Sequence, residues 1–182
     1  MARVLLFVMK TKTFVITLGI TLVAALSVAV GKEKTSGGEK SSTDAAFIKK
    51  AANGGMTEVE LGKIAADKGQ KQDVKDFGQR MVTDHGKAND NLKSVASKMN
   101  VEVPDKVNAK HQAMIDKFSK MSAESFDAAY VKAMVSDHKK DIAEFEKAQN
   151  EVKNEDLKKF ISDTVPVMKE HLEMVQKMEA AK

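Results

Sequence analysis

The sequence predicts an all-α fold, an antiparallel four-helix bundle with one short additional helix, on three observations. From residue 44 onward Ala, Lys, Glu, Asp, Met and Gln dominate, and all of these but Asp are good helix formers. Apolar residues recur at spacings of three and four, and no alternating strand pattern survives more than a few positions. Short polar connections separate the periodic runs, as adjacent antiparallel helices require.

The elements follow in order. Residues 1–30 read as a signal peptide: Arg3, Lys10 and Lys12 precede the charge-free run from Phe14 to Val30, and Ser27 and Ala29 supply the small residues for cleavage after Ala29. The run also approaches the length of about 20 residues that spans a bilayer, which leaves an uncleaved N-terminal anchor as the alternative. Met9, followed by Lys10 and Lys12, offers a second start. Residues 31–43 are polar and glycine-containing, as suits a flexible linker, and residues 44–182 form the bundle domain.

In that domain a first helix is expected from Asp44 to Lys68, capped by Thr43 or Asp44 and ended by Gly69. Asn53, Gly54 and Gly55 imply a kink, a break or a closely packed neighbour within it. A second spans Gln72 to Met99 with a stripe of Val74, Phe77, Met81, His85, Ala88, Leu92, Val95 and Met99. Asp105 is the expected cap of a short helix reaching Met121, and Ser122 that of a fourth to Gln149 with Phe126, Tyr130, Met134, His138, Ile142 and Phe145 on one face. Asn154 opens the last helix, where Pro166 predicts a kink or a restart.

Composition narrows the function. The absence of cysteine excludes disulfides, thiol catalysis, thiolate metal ligands and lipidation at an N-terminal cysteine. Lys plus Arg number 30 against 26 Asp plus Glu, but three of those cations lie in the first 30 residues, which hold no acid; the body is near neutrality. With one Tyr, no Trp and cations mixed among acids, nucleic-acid binding is not expected.

The informative motif is a repeated phrase. "MVTDH" at 81–85 and "MVSDH" at 134–138 recur a third time as "MKEH" at 168–171, so that Asp84, Asp137 and Glu170 each precede a histidine. His85, His138 and His171 each fall on an apolar stripe near mid-helix, whereas the preceding acid is rotated by about 100° to its edge. Mid-helix positions share one level in an antiparallel bundle, so three imidazoles can converge. Glu58 occupies a similar level in an otherwise small or apolar row of the first helix. Glu58, His85, His138 and His171 are therefore the candidate metal ligands, for one divalent transition metal such as zinc, iron or copper.

Asp84, Asp137, Asp141, Glu170, Met81 and Met134 are candidates for surrounding support, and the methionines invite a copper(I) reading. A single histidine on an apolar face is more often a hydrogen-bonded core residue, and methionine a core filler. His111, outside the phrase, serves as the comparison position.

The stretches "GGMTEVELGKIAADKGQKQDVKDFGQRMVTDHGKAN", "YVKAMVSDHKKDIAEFEKA" and "VPVMKEHLEMV" resemble a bacterial family of exported proteins with a ferritin-like helical domain, described as a domain of unknown function or predicted outer membrane protein. The resemblance implies a ferritin-like four-helix bundle, a periplasmic or cell-envelope location, and functional positions at Glu58, His85, His138 and His171; it implies no established activity. One departure is clear. Ferritin-type di-iron sites use Glu-x-x-His pairs, whereas Val82, Val135 and Met168 precede these histidines by three.

The expected function is thus binding of a metal ion or small polar ligand, in envelope stress or metal handling. The alternatives are a metal-dependent oxidoreductase acting on oxygen or peroxide and a non-catalytic interaction module with structural histidines. Catalytic residues are not assigned. Peripheral membrane association and homo-oligomerisation stay open, with no protein partner identified.

Overall fold

A computed structural model describes residues 36–181, with side chains from residue 43. The signal-peptide reading of 1–30 and the first residues of the linker lie outside the described residues. Five helices are present: α1 (Ser36–Lys68), α2 (Gln72–Lys98), α3 (Ala109–Ser119), α4 (Ala123–Glu151) and α5 (Glu155–Ala180). No strand occurs among the described residues, and no described helix is long and apolar enough to cross a membrane.

The packing partners fix the connectivity. α1 lies along α2, α2 along α5, and α5 along α4, with α4 returning to α1. At one end, Lys68 Nζ donates to the carbonyls of Ser119 and Met121, and Asp127 accepts from the backbone of Gln70 and Lys71. The end of α1 therefore meets the start of α4. At the other end Asp44, in the first third of α1, joins that helix to the start of α5. Neighbours around the ring are consequently antiparallel, and α3 runs beside α1 as part of one long crossover from α2 to α4, the connectivity of ferritin-like bundles.

Local signals account for most boundaries. Asn154 Oδ1 accepts from Leu157 N and caps α5 as expected. The short helix starts later than predicted, because Asn108 rather than Asp105 supplies its cap, accepting from His111 N. α1 begins at Ser36, inside the stretch read as linker. Asp44 is thus interior to α1 and caps a different helix: its carboxylate, 3% exposed, accepts from Lys153 N and Asn154 N, both at 3.0 Å.

The glycine pair neither breaks nor ends α1. At Gly55 the expected close neighbour is found, since an added Cβ would collide with Asn89. α5 likewise continues through Pro166 without a restart. Both Pro166 and Ser162 are exposed, so solvent can serve the carbonyl that proline leaves unbonded.

The core is divided in two. One apolar cluster contains Leu61, Phe77, Met81, Phe126, Tyr130 and Met134; the other contains Phe47, Ile48, Leu92, Leu157, Phe160 and Ile161. Buried Glu58, His85, His138 and His171 belong to neither cluster and occupy intermediate positions along their helices. Burying polar groups at this depth is costly unless each finds a partner.

Candidate metal centre

The apolar stripes carry the three rings inward from α2, α4 and α5. His138 and His171 are 0% exposed and His85 is 4% exposed. One ring nitrogen from each histidine lies within 4.8 Å of one from each of the others. The mid-bundle convergence expected from the repeated phrase is therefore present.

Hydrogen bonds determine which nitrogens are available. His138 Nδ1 lies 3.0 Å from the carbonyl of Met134, which can only accept; the ring must donate there, and its neutral form has a lone pair on Nε2. His171 Nε2 lies 2.9 Å from Asp84 Oδ2, so donation to that carboxylate leaves the lone pair on Nδ1. His85 Nδ1 lies 2.9 Å from Glu58 Oε2, which leaves Nε2. Each ring is oriented by an oxygen acceptor on one side and presents its other nitrogen to the group, the arrangement by which carboxylates and carbonyls orient metal-ligating histidines.

This arrangement has an electrostatic cost. His138 Nε2 and His171 Nδ1 face each other at 3.4 Å, and in the neutral tautomers both present lone pairs. His85 Nε2 and Glu58 Oε1 are buried without a hydrogen-bond partner, while Glu58 Oε1 is 3.9 Å from His138 Nε2. A shared cation would relieve both deficits. The chemistry of the donors, three imidazoles with a carboxylate oxygen beside them, fits a divalent transition metal.

The surrounding charges reinforce the polarity. Burial by itself would raise the Glu58 carboxyl, but charge and hydrogen bonding from His85, with His138 and His171, hold it down at about 2. Burial opposes protonation of His85, yet adjacent Glu58 raises its pKa. Burial pushes His138 down to about 4, against the pull of Glu58 and with the help of the other two rings. His171 is also lowered, by burial, despite its bond to Asp84. Burial would raise Asp84, but His171 and Arg80 lower it and keep it anionic.

The supporting candidates divide by position. Asp84 is in direct contact with His171, and Arg80 Nε holds that same carboxylate at 3.1 Å while its Nη2 reaches Glu170 at 2.6 Å. Glu170 thus anchors Arg80 at the surface and does not approach a histidine. Sequence reasoning missed Arg80; its signal is that it is the one arginine beyond Arg3 in a lysine-rich chain, at a place where a planar donor bridges two acids. Met134 contributes its backbone carbonyl, and Met81 lies in the apolar core.

Glu58 and His85 also border a cavity of about 180 Å³, together with Asp137, Asp141 and His111. Burial, then the negative Glu58, raises Asp141 to about 7 and also raises Asp137. His111 is outside the three-ring group but not remote from it, and its buried Nδ1 has no partner. Val135 and Met168 fill buried apolar positions one turn before their histidines, so the Glu-x-x-His pattern is absent in space as in sequence.

A family model described as "Domain of unknown function (DUF4142)" matches residues 30–178. No curated protein matches the chain. Among solved structures, the "Crystal structure of DUF305 fragment from Deinococcus radiodurans" is similar at a TM-score of 0.67 and 8% identity, covering 77% of this chain and 97% of that one. At this identity the likeness concerns the fold alone.

Proposed function

The chain belongs to the DUF4142 family, a domain of unknown function, and we propose that it binds a single divalent transition metal through His85 Nε2, His138 Nε2 and His171 Nδ1, with Glu58 orienting His85 through its Nδ1. The observation that carries this reading is the approach of His138 Nε2 and His171 Nδ1 to 3.4 Å, while the other nitrogen of each ring faces Met134 O or Asp84. With neutral rings, a purely structural role for the histidines would favour tautomers that bond to one another, whereas Met134 and Asp84 favour the opposite choice. Zinc, iron and copper(II) suit these donors. The apolar leader supports export, and metal handling in the periplasm or cell envelope is the setting that unites it with the site.

Three imidazoles with a position left toward a cavity also accord with metal-assisted chemistry on oxygen or peroxide. That second reading requires a redox metal and oxidant consumption by the loaded protein. The binding reading itself is tested by metal analysis of untagged protein purified from its own host. About one equivalent of metal is expected, lost in a folded His138→Ala variant; metal-free wild type recovered under non-chelating conditions would overturn it.

A further inference from the structure

Arg80 is the one arginine among the described residues, in a body that otherwise takes its positive charge from lysine. A guanidinium differs from an ammonium in presenting its N–H donors as a fixed planar fork, so exchanging one for the other removes directions rather than charge. Arg80 uses the whole fork. Its Nε donates to Asp84 Oδ2 at 3.1 Å, its Nη2 to Glu170 Oε2 at 2.6 Å and its Nη1 to Met174 Sδ at 3.4 Å. An ammonium, whose donors radiate from one nitrogen, cannot take up those three positions.

All three partners bear on His171. Glu170 and Met174 flank it on α5, and Asp84 Oδ2, the oxygen that Arg80 holds, is the same oxygen that lies 2.9 Å from His171 Nε2. The Asp84 side chain is 22% exposed and borders a groove along the α2–α5 seam, where water competes for its oxygens. A carboxylate so placed stays aimed at a buried ring only if something holds it. Stability does not account for the arginine, because exposed ion pairs contribute little to a fold; Lys98 and Asp156 make another such link between α2 and α5 near the start of α5. Charge does not account for it either, since a cation there repels a dication held by the histidines. Direction is what remains.

We propose that Arg80 is a positioning residue for the metal centre: it fixes Asp84 against His171 Nε2 and braces α5 on both sides of that histidine, so that His171 Nδ1 stays turned toward the nitrogens of His85 and His138. The role rests on the metal reading for its effect on affinity, whereas its effect on the His171 ring belongs to the metal-free protein as well.

The test titrates the full chain with zinc against a chromophoric chelator, as wild type, Arg80→Lys and Arg80→Met, with circular dichroism to confirm the fold. Both variants should bind zinc about tenfold more weakly, the low end of the range for losing an orienting partner, although one keeps the charge and the other removes a repulsion. Lys98→Met, which breaks the link to Asp156, should bind as wild type does. In the metal-free proteins the ring-nitrogen chemical shifts of His171 should report one Nε2–H form in wild type and a mixture of tautomers in Arg80→Lys, a change that lower stability alone does not produce. Wild-type affinity in Arg80→Lys would overturn the role by showing that charge suffices, and tighter binding by Arg80→Met would overturn it by showing that repulsion governs. An unaltered His171 tautomer, or an equal loss of affinity in Lys98→Met, would do the same. Wild type that takes up no zinc would instead remove the metal reading, and this role with it.

Discussion

At the scale of single residues, Asp84 illustrates how a side chain at the margin controls one at the centre. It accepts from His171 and from Arg80 at once, fixing the ring tautomer while its own charge is balanced. Asp84→Asn should weaken metal binding by roughly 10- to 100-fold, the usual penalty for losing such an orienting partner. Competition against a chromophoric zinc chelator, with circular dichroism to confirm the fold, measures this.

Asp141 gives a prediction of the opposite kind. Its folded pKa of about 7 exceeds the ordinary value of 3.8, so the folded metal-free state binds more protons than the unfolded one across that interval. Stability from this group is present at low pH and lost as pH rises toward 7. Asp141→Asn should therefore stabilise the metal-free protein increasingly between pH 4 and 7, with little further gain above. Chemical denaturation across that range checks the sign; a stabilisation independent of pH would contradict it.

At the scale of helices, polar caps and close crossings hold the site elements in register. Asp44 accepts two backbone donors at the entrance to α5, the helix that carries His171. Asp44→Ala should destabilise the bundle by about 1–2 kcal/mol in urea unfolding. Gly62 and Gly78 let α1 approach α2, the pair that brings Glu58 to His85. Because an added Cβ at Gly62 meets a backbone oxygen and cannot be relieved by a rotamer change, Gly62→Ala should cost about 1–3 kcal/mol. Gly54→Ala should not, because its Cβ enters open space.

At the scale of the whole molecule, the fold and the ring positions were legible because both depend on helical period. Apolar residues at three- and four-residue spacing defined the buried faces, and antiparallel packing turned equal depth along helices into proximity. Asn154 was readable as a cap because its partner, Leu157, is local. Asp44, one of two residues the sequence offers as a cap for α1, instead serves α5, and its partners lie more than a hundred positions away. The Arg80 bridge to Glu170 and the cavity depend on side-chain direction across helices, and the Met134 carbonyl on the rotamer of His138 within α4; period alone encodes neither. The same limit applies to Glu170, whose place in the phrase predicted support for a histidine but whose exposed carboxylate reaches Arg80 instead.

The architecture divides its apolar core around a layer of groups that have orienting partners on one side and unmet bonding capacity on the other. On the reading proposed above, one metal ion would occupy the common face of His85, His138 and His171. X-ray absorption at the zinc edge of the zinc-loaded full chain tests it most directly. Three imidazole nitrogens are expected at about 2.0–2.1 Å with oxygen completing the shell, and imidazole scattering diminished in His138→Ala. A shell composed of oxygen alone, or one unchanged by that substitution, would contradict it.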